Sequence, residues 1–360
     1  MATSYRSRFI STLRQNERTM TELFSALAAS CAAEVNRRAD TSGNVPRQAT
    51  FEIQQAIGDH IARFFLGRDS AGIRNPFAIL PDGSVFPLSP YMRALWASIQ
   101  AATRLPVEQH AAIMQRRLPP ELLVVFRSAH GNPFARAGAM VREQFRPNPL
   151  ARYDPPHLWV DPNGYRLSDR IWNTSSTTRN RLNLFLDEVI RDGRGAASIA
   201  RELEQFLVPG RSLVRTRAPY GTDASADAMR IARTEITRAH ARAAEVSAAM
   251  NPFVEGIAVR LSGSHPHPDI CDEAAAAGPW PKDAIPLQYQ VPLHPHCLCS
   301  YQYVMISDPQ KELDRLRDDI RAARRELVDL VGPLLTQQFV MMLLSDRRER
   351  QQEQPMELAA

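Results

Sequence analysis

The sequence predicts an α+β protein that is mainly α-helical and carries a small antiparallel β-sheet. Along most of the chain, apolar residues recur every three or four positions, which is the period of an amphipathic helix. Two short segments, 256–262 and 298–305, alternate instead with the period of a half-buried strand. Cysteines and histidines cluster between His265 and Cys299, beside both predicted strands. These observations predict a helical scaffold around a small sheet and a Cys/His-rich loop.

The composition is that of an ordinary globular protein. The chain has 360 residues, of which 44% are hydrophobic and 23% charged, so neither wholesale disorder nor a fibrous architecture is indicated. No apolar run approaches the roughly 20 residues that cross a bilayer, so we expect no membrane span. Three of the four cysteines lie in one region, which favours a reducing compartment over a disulfide framework. The formal net charge of +5, carried almost entirely by arginine, permits contact with a polyanion.

Residues 1–150 are predicted to form a helical N-terminal domain. Its predicted helices cover residues 19–38, 54–66, 91–104, 107–117 and 134–145. The segment 67–90 contains four prolines, which exclude a continuous helix and predict an irregular excursion over the surface. Proline, aspartate and asparagine then accumulate over 147–164, which predicts a domain boundary near residue 150.

Residues 151–306 are predicted to form a second helical domain that includes the sheet. Its predicted helices cover residues 177–191, 197–206 and 224–250. The last of these helices has a narrow stripe of small and apolar residues, which lets another element approach closely. The stripe comprises Ala232, Ile236, Ala239, Ala243, Val246 and Met250. Arg233, Glu235 and Arg238 lie off the stripe and are predicted to form a solvated face with intrahelical ion pairs.

Residues 307–360 are predicted to form a C-terminal helix and a polar tail. Asp308 and Pro309 are suited to the N-cap and the first turn of a helix. The apolar residues that follow keep a spacing of three and four for about three heptads, which predicts a long helix with a packing seam. They are Leu313, Leu316, Ile320, Ala323, Leu327, Leu330 and Leu334. Such a seam also permits self-association.

The Cys/His cluster is a candidate structural zinc site. If the two strands pair antiparallel, Cys271 returns near Cys297 and Cys299, and His294 can supply a fourth ligand. Thiolate and imidazole ligands of this kind hold Zn²⁺ tetrahedrally. The alternative histidine ligands are His265, His267 and His296.

Two other interpretations of the cluster stay open at the level of sequence. Reduced cysteines and hydrogen-bonded histidines can simply stiffen a loop. Cys297 can also act as a nucleophile, with His294 or His296 as the base and Asp269 as the orienting group. Nothing in the sequence marks a helix N-terminus or an oxyanion loop at this point, so the catalytic interpretation is the weakest of the three.

A basic, turn-rich loop between residues 209 and 222 is a candidate DNA-binding element. It contains Arg211, Arg215 and Arg217. Arginine suits contact with phosphate because its guanidinium group is planar and always charged.

Five short motifs, taken in order, give the chain a family resemblance. They read L-S-D-R-I-W at 167–172, D-G at 192–193, I-A-R-T-E at 231–235, D-I-C-D at 269–272 and H-P-H-C-L-C at 294–299. Over about residues 160 to 305 the chain thus resembles the phage Mu F-like minor head proteins, also called phage head morphogenesis proteins. The matching signature residues are Arg233, Glu235, Asp269 and Pro295. The chain departs from the family at Leu298, where an arginine is usual, and at Ala274, where a second cysteine is common.

The resemblance implies a minor head protein of a tailed phage or prophage rather than an enzyme. Its implied partners are the portal protein, the major capsid or scaffold protein and double-stranded DNA, with the N-terminal domain contacting portal and capsid. The implied location is the virion, in the head interior or near the portal, after assembly in the host cytoplasm, and some members are ejected with the genome. The rival interpretations are a cysteine- or metal-dependent hydrolase or effector and a free DNA-binding protein.

Overall fold

The computed structural model describes a mainly helical protein with a small antiparallel sheet, which confirms the predicted fold class. The described residues are 4–67, 77–79, 85–87, 89–120, 122–123, 167–209, 225–262, 268–323, 325–326 and 329. The predicted helix 134–145, the predicted boundary at 147–164 and the arginine loop lie outside these ranges, apart from residue 209. The division near residue 150 therefore stays a prediction.

The elements follow one another in this order along the chain. The helices are α1 (Tyr5–Arg37), α2 (Thr50–Leu66), α3 (Pro90–Arg117), α4 (Leu167–Arg191), α5 (Ala196–Leu207), α6 (Ala226–Ala249), α7 (Ile270–Ala277) and α8 (309–323). The strands are β1 (Phe77–Ile79), β2 (Val85–Pro87), β3 (Val254–Arg260), β4 (Trp280–Pro281) and β5 (Ser300–Met305). Among the described helices, none is long and apolar enough to cross a membrane.

Three predictions for the N-terminal half were wrong. The first helix begins at Tyr5, where the Ser4 side chain caps it, rather than at residue 19. The predicted helices 91–104 and 107–117 are one helix, α3, with Pro106 buried inside it. Packing along α3 against α1 and α6 offsets the backbone hydrogen bond that this proline removes. The segment 67–90 is not irregular throughout, because β1 and β2 form an antiparallel pair within it.

Helix α6 lies at the centre of the main hydrophobic core. It packs against α3, α4 and α1, and its alanines allow these helices to approach closely. The same core contains buried residues from α1, α2 and α3 and from α4, α5 and α6. The predicted solvated face of α6 was wrong for Glu235 and Arg238, which are 0% and 8% exposed. Helix α4 contributes Arg170 to this face, so the charges there are paired in the interior.

The sheet has the strand order β4-β3-β5 and is antiparallel throughout. The predicted pairing of the two main strands is confirmed, with Ile257 opposite Tyr303 and Val259 opposite Tyr301. Between these two strands, α7 and β4 lie within residues 270–281. Because β3 pairs with β5, the residues just before α7 lie near the residues just before β5.

The start of the C-terminal helix is confirmed. The Asp308 Oδ1 atom accepts hydrogen bonds from the backbone N–H groups of Gln310 and Lys311, both at 3.1 Å. The first apolar residues of the predicted seam pack on the core around Phe253, where α3 ends and β3 begins; they are Leu313, Leu316 and Ile320. Within the described part, the seam thus packs on its own chain.

Candidate metal centre and adjoining cleft

The structure brings together three of the four predicted zinc ligands. The Sγ atoms of Cys271 and Cys297 lie 3.8 Å apart, and the sulfurs of Cys271, Cys297 and Cys299 all lie within 4.8 Å of one another. All three cysteines are reduced and buried. The predicted return of Cys271 to the other two thiols is therefore confirmed.

The first turn of α7 holds Cys271 in place. Asp269 caps this helix, and its Oδ1 atom accepts a hydrogen bond from the backbone N–H of Cys271 at 2.6 Å. Asp272 completes a capping box by accepting from the backbone N–H of Asp269 at 2.8 Å. A helix N-terminus therefore lies beside the thiols, contrary to the expectation from sequence. The missed signal was local: an aspartate three residues before another carboxylate.

A tight turn before β5 positions the other two cysteines. The backbone N–H of Cys297 donates to the carbonyl of His294 at 3.2 Å. Between them, His296 has a φ of 66°, a left-handed conformation that residues other than glycine rarely adopt. The turn thus directs Cys297 and Cys299 to the same interior point.

His294, the fourth predicted ligand, lies close to Cys271 and Asp269. Its Nδ1 atom is 2.8 Å from the carbonyl oxygen of Pro295, to which it can donate a proton. Its Nε2 atom is buried, makes no hydrogen bond and lies 3.3 Å from Asp269 Oδ2. It falls within 4.8 Å of ligand atoms of both Asp269 and Cys271. Metal-binding histidines commonly donate one ring N–H to a carbonyl, so this contact leaves Nε2 as the nitrogen that could bind a metal.

The alternative histidine ligand His296 contacts α6. Arg230 Nε donates to its Nε2 atom at 3.4 Å, on the surface of α6. Burial, reinforced by Arg233 and Arg230, lowers the pKa of His296 to about 4, so the ring is neutral at pH 7. His265 and His267 lie outside the described residues.

The three thiols favour one shared negative charge. Hydrogen bonding from Cys271, and then from Cys299, lowers the pKa of Cys297. The same contact with Cys297 raises the pKa of Cys271. A thiolate is the form of cysteine that binds a metal.

The geometry of the cluster fits a metal ion. Two thiolates on a tetrahedral zinc, each about 2.3 Å from the ion, lie about 3.8 Å apart. The Cys271–Cys297 separation of 3.8 Å agrees with this spacing. The cluster of Cys271, Cys297 and Cys299 could therefore hold a metal ion.

A buried carboxylate fastens the cysteine-bearing loop to α6. Tyr301 Oη donates to Glu245 Oε1 at 2.7 Å and accepts from the backbone N–H of Val291 at 2.9 Å. Arg242 pairs with the other oxygen of Glu245, also at 2.7 Å. The start of the loop 291–299, at Val291, is thus connected to the central helix through the side chain of Tyr301.

Glu235 performs a similar role between α4 and α6. Its Oε1 atom accepts hydrogen bonds from Arg170 of α4 and from Arg238 of α6, the second at 2.5 Å. Arg233 lies 3.5 Å from Glu17 of α1. The periodicity of the sequence gave no sign that Glu235 is buried; only its place in the I-A-R-T-E motif singled it out.

A cleft of about 510 Å³ adjoins the metal centre. Its walls come from α4, α6 and the loop that carries His294 and Pro295. Arg170, Arg230 and Arg238 line it. The signature residue Pro295 therefore lies on this wall, next to the ligand-bearing turn.

Comparisons of the chain with protein-family models, with curated proteins and with solved structures found no match.

Proposed function

We propose that this chain is a minor head protein of a tailed phage or prophage, acting in head morphogenesis near the portal and the packaged DNA. One observation carries the proposal: motifs that are far apart in the sequence supply side chains that contact one another. Arg170 of the first motif binds Glu235 of the I-A-R-T-E motif. His294 of the last motif lies against Asp269 of the D-I-C-D motif. Short motifs that build one site support the family resemblance better than their order alone.

In this proposal the protein acts by binding and is not an enzyme. Its helical surfaces contact the portal protein and the major capsid or scaffold protein, and it resides in the head interior or beside the portal after assembly in the host cytoplasm. Cys297 is 1% exposed and faces two other thiols, which favours a structural role. A nucleophile would need access to its substrate.

Incorporation into particles tests the proposal. Heads purified from cells that produce the phage are expected to contain the chain, and Cys297→Ser is expected to reduce both its stability and its incorporation. Cys31→Ala is the matched control, because Cys31 is buried in the main core, away from the cluster. Mass spectrometry of gradient-purified heads measures the amount. Absence of the wild-type chain from heads would contradict the proposal, and an activity lost in Cys297→Ser with folding intact would favour a hydrolase.

The metal is proposed to be a structural Zn²⁺, held by Cys271, Cys297, Cys299 and His294. Bound zinc would cross-link the first turn of α7 to the turn before β5, which are separated along the chain by β4. Three buried thiols and one imidazole are a ligand set that zinc prefers.

Metal analysis of the protein purified without chelator is expected to find about one zinc per chain. Cys271→Ser, Cys297→Ser and Cys299→Ser should each lower the zinc content to a small fraction, because a tetrahedral site loses a thiolate. Cys31→Ala should leave it unchanged. A wild-type content below about half an equivalent per chain would contradict the zinc proposal.

Double-stranded DNA is the third proposed partner, through Arg211, Arg215 and Arg217. Affinity for a duplex should fall steeply with salt, because phosphate contacts release counterions. Replacing the three arginines by glutamine should weaken binding and flatten its salt dependence. The matched control replaces Arg315, Arg317 and Arg321, which carry the same charge on α8 and pair with acidic neighbours. Fluorescence anisotropy measures the affinity for the duplex and its salt dependence. An affinity that does not change with salt would exclude DNA as a partner.

A further inference from the structure

The cleft beside the metal centre has the charge of an anion site. Three guanidinium groups line it, those of Arg170, Arg230 and Arg238. Asp227 on the same wall pairs with Arg230 at 2.7 Å, and the buried Glu235 lies behind the other two arginines. Three arginines and one carboxylate, that of Asp227, thus stand among the described residues of the lining, and this composition favours an anionic ligand.

Glu235 also orients the arginines. Because a single buried carboxylate oxygen accepts from both Arg170 and Arg238, the two guanidinium groups are held side by side rather than free to rotate. Adjacent planar guanidinium groups can donate several parallel hydrogen bonds to a tetrahedral oxyanion. Fixing them before the ligand binds reduces the entropy lost on binding.

The remaining walls indicate the size and nature of the ligand. Ile231, Pro292 and Leu293 contribute apolar surface, while Asn173 and Thr177 are exposed polar residues on α4. A volume of about 510 Å³ lies within the range of small-molecule sites. The side chains of Arg238 and Arg170 are only 10% and 19% exposed, so a ligand must enter the cleft to reach them.

We propose that this cleft binds the phosphate group of a small phosphate monoester, with Arg170, Arg230 and Arg238 contacting its oxygens and the apolar wall contacting its organic part. His294 lines both the cleft and the candidate metal centre. The loop that carries the thiols therefore also forms one wall of the phosphate site. The residues that form this site are not those of the predicted DNA-binding loop, and the proposal does not depend on the proposed role in phage heads.

Calorimetric titration at constant ionic strength tests the proposal with inorganic phosphate, adenosine monophosphate and unphosphorylated adenosine as probes. Inorganic phosphate and adenosine monophosphate are expected to bind saturably, whereas adenosine is expected not to bind. Arg230→Gln should weaken the binding of both phosphates by about tenfold or more, because it removes a charged donor. Arg230 is suited to this test because its side chain is 39% exposed and its loss should not unfold the protein.

Arg201→Gln is the matched control, since Arg201 is exposed on α5 and does not line the cleft. It should leave phosphate binding unchanged. Three results would overturn the proposal: no saturable binding of either phosphate, binding that Arg230→Gln does not weaken, or equally strong binding of adenosine. If Arg230→Gln lost as much affinity for duplex DNA as for phosphate, the proposal would likewise be overturned, because the arginines would then belong to a DNA-binding surface.

Discussion

The arrangement of the site depends on two carboxylates that α6 buries. A charged group in the interior must be paired and hydrogen-bonded, or it destabilises the fold by several kcal/mol. Glu235 meets this requirement with Arg170 from α4, and Glu245 meets it with Arg242 of its own helix and a hydrogen bond from Tyr301 of β5. Each pairing specifies which surface of the neighbouring element faces α6. The central helix therefore determines where α4 and the cysteine-bearing loop lie.

From this constraint, the metal centre and the cleft form as one unit. The loop from 291 to 299 is fastened through Tyr301, so its turn presents two thiols to Cys271 on α7. On its outer side, the same loop faces the arginines that Glu235 holds. Substitution of either buried carboxylate should therefore alter the geometry of both the thiol cluster and the cleft.

Sequence reasoning predicted those features that arise from local periodicity and from the ends of elements. The alternating residues around Ile257 and Tyr303 predicted the strand pair, and that pair predicted the return of Cys271 to Cys297. The capping box of α7 is also a local signal, because Asp269 and Asp272 are three residues apart in the sequence. By contrast, the burial of Glu235 depends on which helix covers α6, and periodicity within α6 carries no information about α4. For the same reason Pro106 was wrongly interpreted as a break.

The free energy of unfolding of Glu235→Gln tests the account most directly, measured by urea denaturation of the full chain. The substitution keeps the shape but removes the fully buried charge that compensates the largely buried guanidinium groups of Arg170 and Arg238, so we predict a loss of about 3–5 kcal/mol. Glu202→Gln is the matched control: it removes the charge from a partly exposed pair with Arg194 and should cost less than about 1 kcal/mol. A loss for Glu235→Gln no larger than that of the control would contradict the central role of this carboxylate.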